Sequence, residues 1–280
     1  MSLRSITVFI ELNQIGVRRM TYAVTLARRH DAHLVGIFVA PAQWAGNPAE
    51  SFVRGHGAIH ALIERHNKRE RAAAIDAAAA FRSATAQEDI SVEFRILRDD
   101  VTGEEVLLHS LHTDIIIIGR PNPGSLSQGW SAERLLLATG IPSLIVPDDW
   151  KQASVAERIL VGWNASREAR RAIADVRPLL AAAREGFVVV VDPRDNSRLG
   201  EEPGADIGHY LSRYGAHVTI DRISSDGGSV AGALLAHAKQ VGADLIVLGA
   251  YSHNRAREIV FGGVTQSLVS HSQVPLLMSH

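Results

Sequence analysis

The chain has no cysteine among its 280 residues. Disulfides, thiolate catalysis and cysteine-ligated zinc or iron–sulfur centres are therefore excluded. It has no excess of charge either: 29 Lys and Arg face 30 Asp and Glu, for a formal net charge of −1. Without a basic or acidic bias, nucleic acid and anionic membrane surfaces are not expected as main partners. No apolar run approaches the ~20 residues of a membrane span. The opening MSLRSITVFIEL reads as a strand with no small-residue cleavage site after it. The expectation is a soluble, cytoplasmic protein. Catalytic signatures are also missing. There is no G-x-S-x-G elbow, no H-E-x-x-H pair and no G-x4-G-K-(S/T) phosphate loop.

What is present is alternation, with 46% of residues hydrophobic. Short runs such as Ile6–Ile10, His33–Val39, Ser91–Leu97 and Ser143–Val146 are separated by helical patterns at 17–30, 59–86, 102–112 and 131–138. Thr102 followed by Glu105 reads as a helix-capping pair, and Val17, Met20, Val24 and Ala27 read as one apolar helix face. The order then repeats: strands at 158–163, 187–191, 217–222, 244–249 and 276–279 alternate with helices at 166–183, 206–214 and 228–241. The letters repeat as well. TDIIIIG at 113–119 matches ADLIVLG at 243–249, and IPSLIV at 141–146 answers VPLLMS at 274–279. Residues 41–58 form a Pro/Gly-punctuated insertion, and Pro147–Ala156 a polar linker. The pattern predicts an α/β protein of two tandem, doubly wound halves, 1–148 and 156–280. Each half should hold a five-stranded parallel sheet flanked by helices in a Rossmann-like arrangement. Ligands of such sheets sit beyond the carboxyl ends of the strands, where the strand order switches direction. In the second half that rim carries Asn164, Val191, Asp192 and Gly249.

The segment DLIVLGAYSHNRAREIVFGGVTQS, 244–267, gathers the features of an anion site. A buried strand ends at Gly249, a polar loop with Tyr251, Ser252, Arg255 and Arg257 follows, and a helix starts at Gly262-Gly263. Helix N-termini offer free N–H groups and the positive end of the dipole, and arginine suits phosphate. On these residues the chain resembles a tandem universal stress protein. Nucleotide-binding members of that family carry G-x2-G-x9-G-(S/T), which falls here on Gly249, Ser252, Gly262 and Gly263, followed by Val264-Thr265. Ser252 departs from the second glycine and Gly263 from the hydroxyl residue. Asn164 stands where an acidic residue is usual near the adenosine. The resemblance implies that ATP or AMP, with or without Mg²⁺, is held by the second half, with Gly249–Ser252 and Gly262–Thr265 at the phosphates and Asn164 and Val191 at the adenosine. The first half keeps Gly119 and has Glu11 at the acidic position, but PNPGSLSQGWSAERLL lacks the glycine spacing, so it reads as a degenerate copy. The family also implies that the halves pair through their last strands as a pseudo-dimer, and two chains could pair again.

Two other readings stay open: a stress protein without nucleotide that works through interactions, and a slow ATPase. The second lacks a visible metal-holding carboxylate, since Asp244 lies at the wrong end of its strand. The chain is therefore not expected to be an enzyme beyond weak ATP hydrolysis. Histidine is plentiful at 13, yet no metal is expected. His56 and His60 share a helix face only if the helix starts ahead of Gly57, and His253 falls in the candidate loop. His30, His33, His109, His112 and His237 read as ordinary helix-end or surface residues.

Overall fold

The buried apolar runs of both halves become strands of one sheet. In the computed structural model the described residues are 3–40, 56–98, 103–120, 131–152, 155–195, 197–250 and 263–280. The first half runs β1 (Ser5–Phe9), α1 (Gln14–His30), β2 (His33–Ala40), α2 (His56–Thr85), β3 (Val92–Arg98), α3 (Glu104–Ser110), β4 (Ile115–Gly119), α4 (Ala132–Thr139) and β5 (Ser143–Val146). The second runs β6 (Arg158–Gly162), α5 (Arg167–Ala182), β7 (Glu185–Val191), α6 (Ala205–Ser212), β8 (Val218–Ile223), α7 (Val230–Gln240), β9 (Leu245–Gly249), α8 (Gly263–His271) and β10 (Leu276–Ser279). Two short 3₁₀ turns follow β7.

Strand order is β3-β2-β1-β4-β5-β10-β9-β6-β7-β8 in a continuous ten-stranded sheet. Within each half all pairings are parallel, with the 3-2-1-4-5 order of a doubly wound fold. The halves meet through β5 and β10, which pair antiparallel with Leu277 opposite Leu144. The expected pairing of last strands is thus present within the chain. Strand alternation feeds two apolar layers. Ile115 and Ile117 face a layer under α1, α2, α5 and α6, whereas Ile116 and Ile118 face one under α3, α4, α7 and α8. Both layers run without a break across the two halves.

Several local expectations are corrected. Thr102 lies outside the described residues, and α3 starts at Glu104 after Gly103, which sits at φ 65° and has no side chain to cap it. Glu105 instead accepts a hydrogen bond from the Arg98 backbone N–H at 3.2 Å. α2 begins at His56, through Gly57, rather than at Ile59; its packing outweighs the glycine cost of about 1 kcal/mol. On α1, Met20, Val24 and Ala27 are buried as expected, but Val17 is 52% exposed and Arg19 is buried in its stead. His30 is not a surface residue. It is 7% exposed, and its Nε2 is buried without a partner.

The repeated aspartates have the same task in both halves. Asp114 accepts the backbone N–H groups of Arg4 and Ser5 at 2.7 and 3.0 Å, and Asp244 those of Glu157 and Arg158 at 3.0 and 2.9 Å. Each carboxylate therefore ties the start of its half's fourth strand to the start of the first. Asp244 is buried whereas Asp114 is exposed. Loss of a buried acceptor costs more than loss of an exposed one, because water cannot replace it. Asp244→Ala is expected to destabilise by about 2–4 kcal/mol and Asp114→Ala by about 1 kcal/mol or less, read as the difference in urea unfolding midpoints.

Burial, and then the neighbouring Arg29 cation, push the His30 imidazole below its usual pKa. The folded state therefore holds His30 neutral, while the unfolded chain takes up a proton near pH ~6.5. This group costs no stability above that pH, and stability falls as pH drops through it. A His30→Leu variant should lose less stability than the wild type between pH 7 and pH 5 in thermal melts.

Candidate functional site

In the second half β6 is flanked by β7 on one side and β9 on the other. The strand order switches direction there, which opens a crevice beyond their carboxyl ends. Asn164, Val191-Asp192 and Gly249 all lie at this rim, at or just beyond the ends of β6, β7 and β9. Tyr251, Ser252, Arg255 and Gly262 lie outside the described residues. Of the expected set, the structure describes Asn164, Val191, Asp192 and Gly249 at or just beyond the carboxyl ends of β6, β7 and β9, and Gly263, Val264 and Thr265 in the first turn of α8.

Each of these positions has a local physical cause. Asn164 is exposed, and its Oδ1 accepts the Ser166 backbone N–H at 3.2 Å. Ala165 between them takes a left-handed φ of 56°, and the Ser166 hydroxyl caps α5 by accepting from Ala169. Asp192 is also left-handed, at φ 47°. Its Oδ1 accepts the Ser225 backbone N–H at 2.8 Å. Hydrogen bonds from the Ser225 hydroxyl and backbone, and from Ser224, hold its carboxyl below the usual range. Asp192 thus braces the loop after β8, a role not legible in the sequence because Ser225 is far along the chain.

Gly249 is explained by close packing. A Cβ there would stand 2.3 Å from the Ala169 nitrogen and the Glu168 carbonyl carbon, so the first turn of α5 rests on this glycine. The next N–H, of Ala250, is spent on the Ser279 carbonyl at 2.8 Å. Gly263 is the opposite case. It is exposed, and among the described residues nothing lies within 4 Å of a Cβ built on it. Val264 is 40% exposed and Thr265 is buried.

The first half fills the matching space with its own side chain. Gly119 corresponds to Gly249 in the repeat, and a Cβ on it would stand 2.3 Å from the Arg19 guanidinium. Arg19 donates to Glu11 at 2.8 Å and lies 3.5 Å from Asp148, with its own side chain 2% exposed. Counted from the strand starts, Arg19 is the counterpart of Ala172 and Glu11 of Asn164. The helix that follows is capped by Ser131, whose side chain accepts from Arg134. Sequence reading missed Arg19. Its signal was a charged residue inside the apolar stripe of α1, next to Met20.

One described cleft, of about 620 Å³, lies elsewhere, between α6 and the starts of β7 and β8. That is the amino-end rim, opposite the switch-point crevice. No cluster of three or more metal-ligating side chains occurs among the described residues, nor is any described helix long and apolar enough to cross a membrane.

Residues 156–280 match the model of the Universal stress protein family. Over 78 residues the chain is 32% identical to the stress response protein NhaX of Bacillus subtilis, covering 28% of this chain and 45% of that relative. The chain thus spans less than half of the curated relative that it matches. The fold is similar over nearly the full length to a universal stress protein from Archaeoglobus fulgidus, with a TM-score of 0.70, 16% identity and coverage of 98% of this chain and 97% of the other. A protein of unknown function from Pseudomonas aeruginosa aligns at a TM-score of 0.54 and 14% identity, over 99% and 92% of the two chains. At these identities the structural matches speak for the fold alone.

Arg19→Ala, which installs the residue of the second half, removes a buried guanidinium from Glu11 and Asp148 and leaves a cavity against Gly119. The expected cost is about 2–4 kcal/mol, measured by chemical unfolding. Gly119→Ala should cost a similar amount in the wild type and less in the Arg19→Ala background, a coupling read by a double-mutant cycle.

Proposed function

Starting from a C-terminal half that belongs to the universal stress protein family, we propose that the chain is a stress-response module whose second domain, 156–280, binds an adenine nucleotide, ATP or AMP. The open first turn of α8 carries this reading. Among the described residues nothing lies within 4 Å of a Cβ built on Gly263, and a helix N-terminus at a switch-point rim is suited to phosphate. Tyr251, Ser252, Arg255 and Gly262 complete the loop at the phosphates, with Mg²⁺ as an accessory to ATP. Asn164 and Val191 flank the adenosine. Asp192 acts there through Ser225 rather than by direct contact. The first domain, 1–148, serves as a partner without its own nucleotide, since the Arg19 guanidinium lies against Gly119 and is paired with Glu11. The reading extends to a cytoplasmic protein that reports nucleotide status through its surface, and to pairing of two chains as an added level of assembly.

The close packing that accounts for Gly249 favours a rival, an interaction module without nucleotide. Weak hydrolysis of bound ATP is a third reading. Melting with and without millimolar ATP, ATP–Mg²⁺ and AMP separates them, because a ligand at a hundred times its dissociation constant adds ~2.7 kcal/mol. Gly263→Asp is the matched variant. It meets no described neighbour, and its carboxylate suits the helix dipole, so the free protein should melt no lower than the wild type. In the phosphate position that same carboxylate repels the ligand, and the ATP-induced shift should disappear. An unchanged shift in Gly263→Asp removes the phosphates from α8, and no shift in the wild type leaves the interaction module. Phosphate release above the no-protein rate identifies the ATPase.

A further inference from the structure

The joined sheet still ends in two edge strands, β3 and β8. On β3 the pairing with β2 decides which backbone groups face out. Leu34 donates to the Ser91 carbonyl at 2.8 Å, in the register that sets Leu34 beside Val92. The odd-numbered peptide groups of β3 therefore turn to β2, and those of Val92, Phe94 and Ile96 turn outward. The N–H of Arg98, next in that series, is met by the Glu105 carboxylate at 3.2 Å. Among the described residues no strand or side chain meets the other three.

Edge strands are commonly guarded by charge or by cover. One face of β3 has neither. Val92 and Ile96 are 42% and 52% exposed, on the face where Phe94 packs on Phe81 of α2 with ring centroids 5.8 Å apart. On the other face Arg95 donates twice to Glu93, at 2.7 and 2.9 Å. Open backbone groups and apolar side chains suit another strand, and the charges select which. Outward groups must meet outward groups. The overlapping antiparallel registers of two β3 strands within Val92–Ile96 thus set Val92 opposite Phe94, Phe94 opposite itself, or Phe94 opposite Ile96. The first places Glu93 against Glu93 and the last Arg95 against Arg95, and like charges directly opposite are destabilising. The middle register places Glu93 against Arg95 and Val92 against Ile96, and it pairs every outward donor and acceptor of the three residues. The β8 edge offers no such match. Gly186 donates to the His217 carbonyl at 2.9 Å, so Val218, Ile220 and Arg222 turn outward there. Centred on Ile220, that strand would oppose Val218 to Arg222 and Thr219 to Asp221. Its Arg222 is also drawn aside, to the Pro203 carbonyl at 2.9 Å and Glu202 at 2.7 Å.

We infer that β3 is a docking strand for β3 of a second copy of this chain, paired antiparallel about Phe94, with Glu93 of each copy against Arg95 of the other. This rests on the reading that two chains pair and supplies the surface for it; it is independent of nucleotide binding. Sedimentation velocity of the full chain without nucleotide tests it, over a series from ~1 to ~500 µM. So short a strand pair buries little surface, and the dimer should be weak, with a dissociation constant on the order of 10 µM. Arg95→Glu and Glu93→Arg, each alone, set like charges opposite and should weaken dimerisation at least about tenfold. An equimolar mixture of the two variants again sets opposite charges at both positions, and it should dimerise within about threefold of the wild type. Ile96→Lys, which guards the exposed edge with a charge, should weaken the dimer as well while the melting temperature holds. A mixture that stays monomeric overturns the inference, because rescue depends on this register alone. A dimer that none of the three variants weakens keeps the pairing of chains but moves it to another surface. A wild type that is monomeric at ~500 µM removes both.

Discussion

The antiparallel contact between β5 and β10 is the constraint on which the rest of this molecule depends. Five parallel strands on either side would each end in an open apolar edge, a template for pairing with other chains. Here each half closes the other's edge, and the register around Leu144 and Leu277 aligns two sheets into one. Since all strands within a half are parallel, this antiparallel junction points the carboxyl-end rims of the two halves to opposite edges of the sheet. Two like sites could not merge in such a molecule. Each half is left to keep or lose its own.

Arginines from the first half reinforce the junction at helix ends of the second. Arg29 donates to the carbonyl of Ala182 at the end of α5, and Arg120 to that of Ser272 just beyond α8. Helix C-termini leave carbonyls without partners and carry negative partial charge, so a guanidinium suits them on both counts. The helix whose open end is the proposed phosphate site thus has its other end held by the opposite half. Mutations at the junction would accordingly be felt at α8 without touching it.

The two halves differ in how they treat the same space. In the first, Arg19 lies over Gly119 and is neutralised by Glu11 and Asp148; in the second, the backbone of α5 at Glu168 and Ala169 packs directly on Gly249, and Asn164 carries no charge. A buried cation with two carboxylates is self-contained and needs no ligand. The second half has no such ion pair at the matching positions, where Ala172 and Asn164 stand. This asymmetry, more than the number of glycines, separates the structural half from the half proposed to bind.

The sequence by itself determined the strands, their order and the internal repeat, because burial on both faces and helix periodicity are local properties of the letters. IPSLIV and VPLLMS even located the two junction strands, and Gly262-Gly263 located the start of α8. Tertiary structure alone decided what the site residues do. Gly249 is fixed by α5 resting upon it, Asp192 by Ser225, and Gly119 by Arg19. The stripe of α1 that read as apolar through Val17 instead buries Arg19, and His30 lost the solvent its helix-end position promised. Each of these depends on a partner brought close by folding. Contacts between residues remote in the chain leave no period in the sequence from which to read them.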